Sequence, residues 1–266
     1  MSDRLKKKLK LYGTMKVIVS MTSIPTRFQY LKPIVDHLRN IKGCHEVWVN
    51  IPKTYDRFPD WDGVFPFETF GERVVINRDC EDLGPGTQAV GPIGKTDADM
   101  ILYVNDDTMY KEDLLLNLFK QFQDEGSRSV WGLSGFDFEN YFKGHYPRVH
   151  GESVDVLESY GACLAKTEWL TTILPEFREL YAISWNDDML LSNLFEKHGI
   201  KRRTCFTRDC HLGQLLQLNY GFGDDALHYL AAEASGTEAL NHTENNKKIL
   251  RDLKSIGKKY FKYEIA

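Results

Sequence analysis

Two pairs of adjacent aspartates concentrate the chemistry in this sequence. Asp106 and Asp107 follow Asn105 directly after the apolar run Met100 to Val104, and Asp187 and Asp188 follow Trp185 and Asn186 at the start of a helical pattern. Neighbouring carboxylates on a tight loop beyond a hydrophobic strand suit a hard divalent cation, which takes oxygen ligands and keeps positions free for substrate phosphates. The competing reading is that Asp106 or Asp107 caps the helix that follows. In the second pair, a carboxylate in the first helical turn is held ionised by the local dipole and can accept a proton from an attacking hydroxyl. Capping by Asn186 or Asp187 competes here too. Asp188 shares a face with Ser192 and Asp187 with Leu191 and Leu194, so Asp188 is the less drawn towards a core and is slightly preferred as a base.

The surrounding pattern says what must position these residues. Met15 to Met21 is a short β-branched apolar run, and Leu31, Ile34, Val35, Leu38 and Ile41 then fall at helical spacing. Further strands are predicted at Glu46 to Ile51, Arg73 to Asn77 and Met100 to Val104, the last apolar throughout, as in a buried parallel sheet. A short helix is expected within Thr87 to Ile93 and a longer one through Leu114, Leu115, Leu118, Phe119 and Phe122. Strands alternating with helices imply an α/β fold with an open, mainly parallel sheet flanked by helices. In such sheets ligands gather beyond the carboxyl ends of the strands, the address of Asn105, Asp106 and Asp107. The second half is less regular, with strands expected at Val130 to Leu133, Tyr160 to Ala165 and Arg203 to Thr207, and a helix at Asp187 to Lys197 stopped by Gly199. Residues 1–14 read as a basic tail, 15–220 as the main domain, and 221–266 as an extension with a basic helix from about Asn245 to Tyr260.

Four segments stand in the order seen in GT-A glycosyltransferases: Ser20 to Arg27, Glu81 to Thr87, Tyr103 to Asp107 and Trp185 to Asp188. Over roughly residues 15 to 210 the chain resembles a bacterial, fungal and large-virus group of nucleotide-sugar transferases related to family 2. That resemblance implies a GT-A fold with a Rossmann-like nucleotide-binding half (15–110) and an acceptor half (111–220). The implied activity is metal-dependent, inverting transfer of a sugar from a UDP-, GDP- or dTDP-linked donor to a hydroxyl on a glycan or glycoconjugate. Asn105-Asp106-Asp107 is similar to the family's DXD motif, which makes Asp107, with Asp106, the ligand set for Mn2+ or Mg2+ and sets Asn105 and Asp106 near the donor. Thr22, Ser23 and Arg27 match the loop that holds the nucleotide, and Asp79 and Asp82 the acidic positions for base or ribose. Gln88 stands where related sequences usually carry a Lys in Gly-Pro-x-x-Lys, which removes a cation near the diphosphate. Gly161 matches a small residue that lets backbone approach the donor sugar. Asp187 and Asp188 resemble the acidic pair that supplies the catalytic base, and Trp185 offers a face for an acceptor sugar, or is a core or rim Trp. His211 matches a late metal-ligating His, with His242 as its rival.

Composition narrows the alternatives. A formal net charge of -4 gives no global reason to expect nucleic-acid binding. No apolar run approaches the roughly 18 residues needed to cross a bilayer, and no signal-peptide core is present, so a cytoplasmic protein is expected, in the host cytoplasm if the source is viral. Peripheral membrane contact through the Lys/Arg-rich run at residues 4–10 stays open. Five scattered cysteines fit a reducing compartment. Two other functions remain in view: a nucleotidyltransferase, although Ser20 to Arg27 lacks the glycine-rich loop common in those enzymes, and a nucleotide- or carbohydrate-binding module without catalysis.

Overall fold

The computed structural model of the chain describes residues 15–138, 153–182, 186–205 and 251. Seven strands form one sheet: β1 (Val17–Thr22), β2 (Glu46–Asn50), β3 (Val74–Asn77), β4 (Met100–Tyr103), β5 (Ser129–Gly132), β8 (Cys163–Lys166) and β9 (Lys201–Thr204). Their spatial order is β3-β2-β1-β4-β8-β5-β9. The pairs β3/β2, β2/β1, β1/β4 and β5/β9 are parallel, while β8 runs antiparallel to both of its neighbours. A separate hairpin-like pair joins β6 (Gly135–Phe136) to β7 (Val156–Leu157). The expected open, mainly parallel α/β sheet is present, and its layout is Rossmann-like.

Helices cover both faces, and the strands therefore bury side chains in both directions. In β1, Val17, Val19 and Met21 face one apolar cluster and Ile18 the other; in β4, Met100 and Leu102 face the first and Ile101 and Tyr103 the second. The first cluster is closed by α1 (Leu31–Leu38) and α3 (Leu114–Asp124), whose buried residues recur at helical spacing. The second is closed by α2 (Thr87–Val90), α4 (Thr167–Tyr181) and α5 (Asp187–Lys197). Among the described residues no helix is long and apolar enough to cross a membrane.

Helix α4 has no counterpart in the sequence-based expectations. Pro175 lies inside it, where the missing N–H leaves one carbonyl without its helical partner. Pro175, Thr171 and Thr172 all lie on the exposed side, so water can satisfy that carbonyl, while Leu170, Ile173, Phe177 and Leu180 keep the inner face apolar. Residues 160 and 161, expected as strand, instead belong to a tight turn, Ser159–Gly161, which Ala162 caps ahead of β8. The first 14 residues, Trp185, and the whole of residues 206–250 lie outside the described residues.

The turn Gly84–Gly86 fastens α4 to the start of α5. A Cβ added at Gly86 would meet Phe177 Cζ, lie 2.8 Å from Phe177 Cε1 and 3.3 Å from Asp187 Cβ. Phe177 is fully buried, so the ring has nowhere to retreat. Gly86→Ala is therefore expected to cost about 1–3 kcal/mol of stability through overpacking, seen as a lower urea midpoint with an unchanged slope. An unchanged midpoint would show that the Gly84–Gly86 turn is loosely packed.

Candidate functional site

One edge of the sheet gathers the polar residues. The parallel strands end there at Thr22, Asn50, Asn77 and Tyr103, and the antiparallel β8 begins there, because Tyr103 pairs with Cys163 and Cys163 with Gly132. A buried ladder ties these strand ends together. Asn50 Nδ2 donates to Ser20 Oγ and to the Met21 carbonyl, each at 2.9 Å, and Asn77 Nδ2 donates to Asn50 Oδ1 at 2.8 Å. The Thr22 hydroxyl donates to the Asn50 carbonyl at 2.8 Å. The loops above this edge therefore start from fixed strand ends.

The first acid pair is built against the loop after β1. Asp106 accepts from the Ser23 hydroxyl at 2.5 Å and from Arg27 at 2.8 Å, one bond to each oxygen. Arg27 also reaches Asp107 at 3.3 Å, and Thr108 donates to the other Asp107 oxygen at 3.2 Å. The three charged side chains are only 9% (Asp106), 15% (Asp107) and 14% (Arg27) exposed. Burial pushes the Asp106 carboxyl upward, and the Arg27 guanidinium opposes that shift. Ser23 is held in turn by Tyr55, whose hydroxyl donates to the Ser23 carbonyl at 2.7 Å. Neither aspartate caps a helix, since the next one, α3, starts at Leu114 with Asp113 at its N-cap.

The second acid pair opens α5. Asn186 is the cap, its side chain accepting from the Met189 N–H at 3.0 Å, which leaves Asp187 and Asp188 free of that duty. Both instead meet Ser159. The Ser159 hydroxyl lies 3.0 Å from Asp187 Oδ2 and 2.5 Å from Asp188 Oδ1, and the Ser159 N–H donates to Asp188 Oδ1 at 2.7 Å. Burial raises the Asp187 carboxyl to about 6 and carries Asp188 well above the ordinary range, with the Asp187 charge as the next cause for Asp188. A carboxylate whose proton affinity lies near neutral pH is suited to general-base work.

Two connections join the pairs. Tyr110, 2% exposed, accepts from the Asn105 N–H at 3.1 Å and donates to the Tyr160 carbonyl at 3.2 Å, one residue from Ser159. Tyr103, two residues before Asn105, lies within electrostatic reach of Asp187 and Asp188, and its hydroxyl is raised by burial. Beside Ser159, Glu158 accepts from Ser134 at 2.5 Å, and Ser134 also meets the Tyr160 hydroxyl at 3.0 Å. Ser159, Tyr110, Glu158 and Tyr55 are absent from the sequence-based candidates. Nothing in residue spacing links Ser159 to Asp188, because α4 intervenes.

The remaining candidates fall in different places. Asp82 is bent inward, accepting from the Asp56 N–H at 2.9 Å and the Gly84 N–H at 3.0 Å, and burial raises its carboxyl. Asp79 is 74% exposed and pairs with Lys53 at 2.6 Å. Gln88 is buried. Its carbonyl accepts from Ser20 at 2.5 Å, and its amide nitrogen has no partner among the described residues. Lys95, rather than position 88, supplies a cation beside the third strand, donating to Asn77 at 3.1 Å and to the Asp79 carbonyl. A Cβ at Gly161 would lie 3.0 Å from Ser134 N, so packing against Ser134 requires the small residue there, and the positive φ of 70° falls on Ala162. Trp185, His211 and His242 lie outside the described residues.

The described residues hold no group of three or more His, Cys, Asp or Glu placed to bind a metal ion. Asp107, backed by Asp106, fits the sparser arrangement in which Mg2+ or Mn2+ takes one or two protein carboxylates and completes its shell with waters and substrate phosphates. Asp106 is the poorer ligand, because Ser23 and Arg27 hold its oxygens at 2.5 and 2.8 Å, whereas the contacts to the two Asp107 oxygens are longer, 3.3 and 3.2 Å.

No family model matches the sequence, and no curated protein matches it. Among solved structures the chain is similar to a 4-diphosphocytidyl-2C-methyl-D-erythritol synthase from Anaerococcus prevotii, with a TM-score of 0.46 and 11% identity over 79% of this chain and 95% of that one. At that identity nothing about activity passes from one to the other.

The two aspartates of the first pair should behave differently. Asp106→Ala strands Arg27 and Ser23 without their main acceptor and is expected to lower stability by about 1–3 kcal/mol. Asp107→Ala keeps the Arg27–Asp106 pair and is expected to cost less than about 1 kcal/mol. Thermal melts of the two variants check this order, and the reverse order would contradict the anchoring role given to Asp106.

Proposed function

We propose that this chain is a transferase for nucleotide-linked substrates, and more narrowly that it moves a sugar from a nucleoside-diphosphate donor to a hydroxyl acceptor with inversion. One observation carries the narrower reading: a buried aspartate pair of raised basicity, relieved of helix capping by Asn186, at the same sheet edge as the Arg27–Asp106–Asp107 loop. An acceptor hydroxyl must lose its proton as it attacks, so sugar transfer calls for such a base. Nucleotidyl transfer to a phosphate does not, because that nucleophile is already an anion. The order of the four matched segments supports the same choice.

In the proposed reaction the acceptor oxygen bonds to the anomeric carbon while its proton passes to a carboxylate oxygen of the Asp187–Asp188 pair. The bond from that carbon to the diphosphate oxygen breaks, and its electrons leave with the nucleoside diphosphate. Arg27 would pair with phosphate, and Thr22 and Ser23 would add hydroxyls from the same loop. Asp107 would hold Mn2+ or Mg2+, with Asp106 behind it, and such a cation when bound offsets the charge growing on the leaving diphosphate. Asp79 and Asp82 are the candidates for base or ribose contacts. A glycan or glycoconjugate is the proposed acceptor, and nucleic acid is not.

The test is turnover of UDP-, GDP- and dTDP-sugars with Mn2+, with and without sugar acceptors. Replacing both, Asp187→Asn together with Asp188→Asn, is expected to lower turnover roughly a hundredfold or more with donor affinity near normal. In the wild type the rate should fall as pH is lowered through about 6, since protonation removes the acceptor for the hydroxyl proton. Turnover of nucleoside triphosphates instead of diphosphate sugars would replace this reading with nucleotidyl transfer. Binding without turnover of either class would leave a binding module.

A further inference from the structure

The contacts around Ser159 fix how many protons the second acid pair holds. A serine hydroxyl has one hydrogen to donate. Its oxygen nevertheless lies 3.0 Å from Asp187 Oδ2 and 2.5 Å from Asp188 Oδ1. If both carboxylates were ionised, one of these contacts would set an anionic oxygen against a hydroxyl lone pair with no hydrogen between them. The contact becomes favourable only when one carboxyl keeps its proton and donates it to Ser159 Oγ, while Ser159 donates to the other. We infer that in the resting protein Asp187 and Asp188 share one proton through Ser159, so that the pair carries a single negative charge at neutral pH and Ser159 is a positioning residue that carries the proton between them.

The surroundings favour that state. Among the described residues, the charged and titratable groups acting on the pair are the two aspartates themselves on α5, Glu158 beside Ser159, Tyr103 on β4, Cys163 on β8 and Tyr181 on α4. None of them is a cation. Among the described residues a second negative charge would be buried beside the first with Ser159 and first-turn N–H groups to stabilise it, and burial shifts both carboxyls upward. The first acid pair differs, because Arg27 offsets it. The proton count stands apart from any reaction. Its catalytic consequence, that the base belongs to the pair rather than to one aspartate, rests on the sugar-transfer reading.

Native electrophoretic mobility reads the count directly. Asp60 is exposed and outside the site, so Asp60→Asn calibrates the loss of one negative charge at neutral pH. Asp188→Asn, and separately Asp187→Asn, should leave the mobility unchanged, because the remaining aspartate ionises and the pair still carries one charge. A shift as large as that of Asp60→Asn in both variants would overturn the inference. Should the variants fail to fold, infrared spectra of the wild type decide instead. A protonated-carboxyl carbonyl band present at neutral pH and lost on unfolding supports the shared proton, and its absence overturns it. An unchanged mobility in a protein that turns over no nucleotide-sugar would leave the shared proton standing and remove the sugar-transfer reading. A full shift in an active enzyme would do the reverse.

Discussion

The antiparallel pairing of Tyr103 with Cys163 decides what this sheet can do. In a wholly parallel sheet each strand brings only its following loop to the carboxyl edge. Strand β8, inserted in reverse between β4 and β5, instead brings the turn that precedes it. Ser159 to Ala162 thereby reach the edge occupied by Asn105 to Asp107, and Ser159 meets Asp187 and Asp188 on α5. The chain passes from turn to strand through Ala162, a buried residue at φ 70°, a backbone state that costs a non-glycine residue about 1–3 kcal/mol. That cost is tolerated where packing of Gly161 on Ser134 and the Ala162 carbonyl's bond from Leu133 over-determine the turn.

Two buried acid pairs at one edge present the same electrostatic problem, and the fold treats them differently. Beside Asp106 and Asp107 it places a guanidinium, which offsets much of the charge and fixes the loop in position. Beside Asp187 and Asp188 it places a hydroxyl and amide groups, which orient the carboxyls while leaving proton affinity high. A pair partly offset by a guanidinium suits holding, and a pair with no cation beside it among the described residues suits accepting a proton. Tyr110 bonds to both loops, so one buried side chain ties the surroundings of the two acid pairs together.

Much of this was legible in the residues and some of it was not. Periodicity marked α5 with its observed ends and located β1 to β4 to within a residue or two, because both depend on local side-chain alternation. Helix α4 was hidden by Pro175, which breaks helices in general but here sits on the solvent side of one. The carboxylates themselves were visible as adjacent pairs at element ends. Their division of labour was not, because it depends on partners far away in sequence: Ser23 and Arg27 for Asp106, and Ser159 for Asp188. The choice between capping and chemistry was equally a matter of geometry, and Asn186 resolved it by taking the cap.

The central claim is that a nucleoside-diphosphate sugar sits across this edge with its nucleotide over the loop after β1 and its anomeric carbon towards Ser159 and Asp188. A crystal structure with a nucleoside diphosphate and Mn2+ tests it most directly. The expected result is a nucleotide lying against Thr22, Ser23 and Arg27, with the diphosphate and metal at Asp107. A nucleotide bound elsewhere on the chain at saturating concentration, with the Arg27–Asp106–Asp107 cluster untouched, would contradict it.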